Sequence, residues 1–378
     1  MKSYSDQKKI EFINIALLGI FFLTTVLQLA VMYIPALQGI LSNYYVNIFV
    51  SQGVVILPVI VFFVYCGINV REELKIRKMK VSNVLLVILF GFLIQPVLRF
   101  LNALSLCFTN NETSEMMLDL SETVPFVPAL ILVCLLPALV EETVFRGAAY
   151  RTYRKADPIK AILLSAFLFG LLHGNLNQFL YAFAMGIIFC LLNEATGSIV
   201  SSSIVHFITN AISLIAIYSL PAMYEYLKFA VGLYEEMGMT EMAEYIEYNF
   251  GDMTLSSQEW MRQMLEESEQ IELSVGGVLF QYLPSALIFG LLAWLLLKVI
   301  AKRCGNWDKF RKTFLGEDNV PVEKEARGPY DAECTTDISE TEGDHNLKIL
   351  SIPLMLTIAI GVLMMFVYET LKMLPKFK

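Results

Sequence analysis

Charge is scarce in this chain. Asp, Glu, Lys and Arg make up 17% of its 378 residues while 56% are hydrophobic, and a soluble domain carries about a quarter charged residues. An ordinary soluble globular domain is therefore excluded. Histidine is scarcer still, with three in the whole sequence: His173, His206 and His345. The six cysteines (Cys66, Cys107, Cys134, Cys190, Cys304, Cys334) show no CxxC spacing. Four of them lie in or at the ends of apolar runs, where cysteine behaves as a small hydrophobe, so neither a zinc ribbon nor a disulfide framework is indicated. There is no HExxH, the usual helix-borne zinc motif. No internal repeat stands out, which leaves the inverted-repeat architecture of many transporters unsupported. A net charge of -8, with no basic field, speaks against nucleic acid as a partner.

What is present is apolar sequence in long runs. Segments able to cross ~30 Å of hydrocarbon, about 20 residues each, begin near Ile13, Val46, Val84, Phe126, Ile159, Phe179, Ile199, Val278 and Ile349. The expected fold is all-α, a polytopic transmembrane bundle of eight to nine membrane helices. The first run follows Lys2, Lys8 and Lys9 like a signal peptide. It continues to Ile34 without a small-residue cleavage site, and reads as a retained anchor. Lys and Arg collect on the cytoplasmic side, which puts the N-terminus, "REELKIRKMK", "RGAAYRTYRK" and "KVIAKRCGNWDKFRK" inside. Residues 110–122 and 224–272 then fall outside, the latter with twelve acids against Lys228 and Arg262. The tail "LKMLPKFK" disobeys the rule, since nine crossings leave it outside. The expected location is a cell membrane, with a bacterial flavour to the loop composition.

The chain divides into N-terminal membrane helices (1–125), a four-helix core holding nearly all the intramembrane polarity (126–220), an acidic extracytoplasmic segment (221–275), a membrane helix (276–300), a cytoplasmic loop (301–347) and a C-terminal membrane helix (348–378). Residues 224–272 space aromatics and methionines at helical intervals, as short amphipathic helices on the membrane or over the core would; a solvated acidic loop fits equally. Residues 316–346 carry ten acids and almost no large aliphatics, and cannot bury enough surface to fold alone.

Residues four apart share a helix face, and three polar pairs follow that rule. In "EETVFRG" Glu142 precedes Arg146 by four, the favourable order for a helical ion pair, which leaves Glu141 available. "FGLLH" puts Phe169 and His173 on one face, and "HFITN" does so for His206 and Asn210. Glu141 lies fifteen residues before the turn at Ala156 and His173 seventeen after it. At ~1.5 Å per residue both stand roughly 22 to 26 Å from that turn, so an antiparallel hairpin brings them level. His206 joins them if the turn at "NEATG" lies higher. Each pair alone has a bland reading: a structural ion pair, an interhelical hydrogen bond, helix glue for Asn210, packing for Phe169. Together, intramembrane ionisable groups are costly and point to function. A carboxylate, two imidazoles and a carboxamide in an apolar surround form a hydrolase-like set.

These motifs, in this order and with "AFAMGIIFCLLNEATGSI" between the last two, resemble the EExxxR, FxxxH and HxxxN motifs of the CPBP intramembrane proteases, the CAAX-protease and bacteriocin-processing (Abi) family. The resemblance covers residues 126–220. It implies that Glu141 is the water-activating base, that Glu142 and Arg146 support it, that His173 assists, and that His206 and Asn210 bind the oxyanion. It implies a membrane endopeptidase acting on a membrane protein or on a lipidated or hydrophobic peptide, cutting within or beside the inner part of the bilayer. The family is often called metallopeptidase. A zinc ion here would take Glu141, His173 and His206, leaving an open position; a metal-free glutamate mechanism is the preferred expectation. Two other classes stay open: a non-enzymatic immunity or scaffold protein in which the cluster only fixes helix packing, and a proton-coupled carrier with a Glu and His relay.

Overall fold

The computed structural model describes residues 4–109, 112–270, 273–315, 344 and 346–372. His345, the loop expected to be disordered and the lysine-bearing tail fall almost entirely outside them. Among the described residues there are helices and no strands, and eight helices are long and apolar enough to cross a membrane. This is a multi-pass helical membrane protein.

The spans are α1 (Asp6–Tyr33), α2 (Tyr44–Cys66), α3 and α4 as one bent crossing (Val81–Leu93 and Gln95–Leu106), α6 (Phe126–Tyr153), α8 (Leu176–Thr196), α9 (Ile199–Glu236), α12 (Val275–Arg303) and α14 (Ile352–Lys372). Shorter helices that do not qualify as spans are α5 (Glu112–Thr123), α10 (Thr240–Phe250), α11 (Ser257–Gln270) and α13 (Trp307–Leu315). The ninth apolar run becomes α7 (Pro158–Leu172), whose 15 residues reach only about 22 Å. That falls short of the hydrocarbon thickness, so the turn after α7 lies at membrane depth, where backbone N–H groups need partners from protein. Glu369 of α14 supplies one by accepting the Leu176 N–H at 3.1 Å.

α7 and α8 form the tightest hairpin. A Cβ on Gly186 would stand 2.6 Å from the Cα of Ala166, so only glycine lets the two backbones approach this closely. The start of α7 is fixed by Asp157, whose carboxylate accepts the N–H groups of Ile159 and Lys160 at 3.0 Å each, with Pro158 at the first helical position, where its missing donor costs nothing.

The N-terminal helices do more than pack. Asn14 of α1 is fully buried; its amide donates to the Ile349 carbonyl at 2.9 Å and to Ser351 Oγ at 2.8 Å, and its carbonyl accepts from the Tyr153 hydroxyl. One asparagine thus ties α1, the end of α6 and the start of α14 together.

On the far face, the acidic segment is a folded cap. α9 runs unbroken through the boundary expected at 220, past Pro221, and its outer end buries Tyr224, Leu227 and Val231 against Leu118 of α5, Ala243 of α10 and Trp260 and Met261 of α11. Arg262 adds ion pairs to Asp119 at 3.1 Å and Glu122 at 2.7 Å.

Candidate active site

α6 carries the first motif and is not a regular α-helix. Residues 130–135 and 142–150 wind as wider π turns, a distortion found often at functional sites. Its first cause is Pro137, which has no N–H to give the carbonyl four residues before it, that of Val133. Asn210 of α9 donates to that carbonyl instead, at 3.3 Å. In the second π segment the Phe145 carbonyl accepts the Ser165 hydroxyl of α7 at 2.7 Å. The irregular backbone is thus satisfied from neighbouring helices, as it must be in a membrane.

The structure brings Glu141, Glu142, Arg146 and His206 together. Glu142 Oε1 is 3.0 Å from Arg146 Nη1, with neither side chain exposed, and 3.1 Å from His206 Nδ1. A carboxylate only accepts, so Nδ1 of His206 carries its hydrogen, leaving Nε2 to face Glu141 Oε2 at 3.8 Å. Glu141 is the more open carboxylate: its side chain is 14% exposed. The adjacent acids have therefore separated, one locked between a guanidinium and an imidazole, the other facing His206 Nε2.

His173 ends α7 with Nδ1 2.9 Å from the Phe169 carbonyl of its own helix. That carbonyl fixes the hydrogen on Nδ1, so Nε2 is a free acceptor in the neutral ring. Phe169 touches both histidines and the arginine of the site. Its ring lies 5.0 Å from the His173 ring and 5.9 Å from that of His206, edge-on to both, and the Arg146 guanidinium stacks 4.1 Å from its centre. Phe189 of α8 lies below Arg146 on a second ring contact of 5.0 Å and 5.4 Å from His206. A guanidinium sandwiched between two rings is held by cation–π attraction.

Phe189, Ser165 and Val133 were not among the residues expected from the sequence. Phe189 and Ser165 sit in runs of apolar and small residues with nothing to distinguish them. Pro137 was the one available signal, since a proline inside an apolar run leaves a carbonyl that some polar side chain must answer.

Among the described residues no group of three or more His, Cys, Asp and Glu side chains is placed to hold an ion. Nδ1 of His206 is held by Glu142 and Nδ1 of His173 by its own helix, which leaves the Nε2 atoms of both rings, with Glu141, as the donors a metal would use.

An α-helical membrane protein with a buried carboxylate–histidine–arginine site is the class these features define. Residues 123–212, the segment holding all three motifs, match the family described as Rce1-like, type II CAAX prenyl endopeptidase. The match agrees with the resemblance to CPBP proteases. No curated protein and no solved structure matches the chain.

Proposed function

We propose that this protein is an intramembrane endopeptidase that hydrolyses a peptide bond in a membrane-associated protein or a lipidated or hydrophobic peptide, by a carboxylate-activated water. The observation that carries it is the division of labour between Glu141 and Glu142. A structural ion pair needs only Glu142 and Arg146; a second, more open carboxylate beside a histidine is what general-base chemistry needs.

In this reading Glu141 takes a proton from water as the water oxygen adds to the scissile carbonyl carbon, with His173 Nε2 orienting the same water. The carbonyl oxygen becomes an oxyanion, stabilised by hydrogen bonds from the Asn210 amide and, in the imidazolium form with hydrogen on both nitrogens, from His206 Nε2. Glu141 then gives its proton to the leaving nitrogen as the C–N bond breaks. Glu142 and Arg146 hold His206 in place. No step runs through a metal. The reaction takes place in a plasma membrane, with the N-terminus in the cytoplasm, as the distribution of Lys and Arg assigns it.

The competing reading is a scaffold whose polar cluster only fixes helices, and the Asn210 amide bonded to Val133 is what favours it. Cleavage of prenylated and signal-like membrane peptides by the purified protein in lipid, with and without chelator, separates the two. The wild type is expected to cut at least one class, with chelator leaving the rate unchanged, and Glu141→Ala and His173→Ala are expected to lose the activity. Variants that cut as well as wild type would remove the hydrolase reading, and chelator sensitivity would bring back the metal.

A further inference from the structure

Two polar side chains of the N-terminal helices, outside the matched segment 123–212, point inward without partners. Thr24 Oγ1 on α1 and Gln52 Oε1 on α2 are buried and have no hydrogen-bond partner among the described residues. Their neighbours show the ordinary solution for a hydroxyl on a membrane helix: Thr25 donates to the Phe21 carbonyl at 2.7 Å, and Ser51 to that of Asn47 at 2.7 Å. Buried polar groups are as a rule satisfied, and leaving one unpaired in an apolar surround is costly.

Both residues stand at the edge of the packed core. The buried stripe of α1 includes Ile13, Leu17, Ile20 and Phe21, and Thr24 is the next position along it. That of α2 includes Phe62, Val59 and Val55, and Gln52 is next in the other direction. Past these two, toward the face opposite the N-terminus, neither helix buries another residue.

Contacts between helices fix the depth of this edge. α1 and α2 are antiparallel, with the rings of Phe12 and Tyr65 5.0 Å apart and Gly19 against Pro58, a register that sets Gln52 opposite Thr25. α7 runs parallel to α1; Phe21 and Leu171 meet at Gly361 of α14, 2.7 and 3.1 Å from where its Cβ would stand. His173 lies two residues past Leu171, Thr24 three past Phe21, and Gln52 level with the fourth. At ~1.5 Å per residue the three lie within about 3 Å of one another in depth. α2 also packs on residues 136–141 of α6, the stretch that ends in Glu141.

A peptide that enters hydrocarbon in extended form brings N–H and C=O groups that have lost water and need new partners. A glutamine amide offers an acceptor and two hydrogens, and a threonine hydroxyl both donates and accepts, which complements an extended backbone. We propose that Thr24 and Gln52 form a backbone-binding subsite, which hydrogen-bonds the extended stretch of a membrane peptide beside the bond to be cut. The identity of the occupant rests on the hydrolase reading; its binding is tested without turnover.

The test measures the Kd of a fluorescent signal-like membrane peptide for full-length Glu141→Gln protein in lipid nanodiscs, with and without a second substitution. Gln52→Leu is expected to weaken binding at least about fivefold, the worth of one hydrogen bond, and Thr24→Val to weaken it in the same direction. Neither should lower the melting temperature of the empty protein, since the oxygen removed has no partner there. Peptides N-methylated at one backbone nitrogen at a time should include one that binds the parent less well and loses nothing further in Gln52→Leu. Unchanged affinity in both variants, as for oxygens that serve only buried water, would overturn the subsite, and so would affinity that falls in step with melting temperature. Cleavage by wild type with an unchanged KM in Gln52→Leu would remove the subsite and keep the hydrolase. Binding that follows the expectation with no peptide ever cleaved would keep the subsite and remove the hydrolase, and a parent that binds no membrane peptide would remove both.

Discussion

Glu141 and Glu142 are neighbours in sequence with opposite structural duties, and substitution should separate them. Glu142→Gln leaves Arg146 buried at 1% exposure without its counter-charge, and loss of one partner from a buried pair costs about 3–5 kcal/mol. We expect a clear drop in thermal stability in detergent together with lost cleavage. Glu141→Gln breaks no ion pair to Arg146 and should change stability by no more than about 0.5 kcal/mol, while cleavage falls by roughly 100-fold or more, the range for removing a general base. Equal melting losses in both variants would refute the division. The ion pair was legible because a helix puts residues four apart on one face. The ring sandwich around Arg146 was only half legible: Phe169 announced itself by its place in "FGLLH", whereas Phe189 lies in a run where every residue is apolar and no period marks the one that faces the site.

At the scale of the element, the site depends on how α6 and α7 are wound and where α7 begins. Burial pushes the Asp157 carboxyl up, but hydrogen bonds from the Lys160 backbone and side chain, the Lys160 charge and the Ile159 N–H outweigh it and hold the group below its ordinary value. A lowered carboxylate contributes stability that is complete above its unfolded value and is lost as pH falls through the folded one. The Asp157 contribution should therefore be present at neutral pH and disappear below pH ~4. Thermal melts from pH 7 to 3 should show Asp157→Asn losing part of the acid-side slope that wild type has. Unchanged slopes would mean the cap is energetically idle. In the second π segment, Ser165→Ala removes the donor to the Phe145 carbonyl and should cost about 1–3 kcal/mol. The number of apolar runs could be read from the sequence, but not that one is too short to cross, since only Gly174 and Asn175 mark the junction after "FGLLH". The π turns were equally hidden, because Pro137 marks a missing bond without saying how the chain answers it.

Across the whole molecule, the protein is a membrane bundle with a folded cap on one face. The acidic segment was readable as amphipathic, but its aromatics do not all meet lipid. Trp260, 1% exposed, is the centre of a core built from the consecutive helices α9, α10 and α11 and the distant α5, a pairing that no local pattern encodes. Trp260→Ala should cost the cap about 3–5 kcal/mol, seen as protease nicking between residues 237 and 270 while the segment 126–220 stays intact. Simultaneous loss of both would mean that cap and bundle are a single cooperative unit. The Arg262 pairs with Asp119 and Glu122, half-exposed, should matter little by comparison, at most about 1 kcal/mol.

The most direct test of the account is the source of the oxygen in the product. Cleavage of a prenylated or signal-like membrane peptide in ¹⁸O-water, by wild type and by Glu141→Gln of unchanged melting temperature, should give a new C-terminal carboxylate carrying one heavy oxygen in the first case and no product in the second. Cleavage by Glu141→Gln at the wild-type rate, or wild-type protein that cuts no membrane peptide at all, would contradict it.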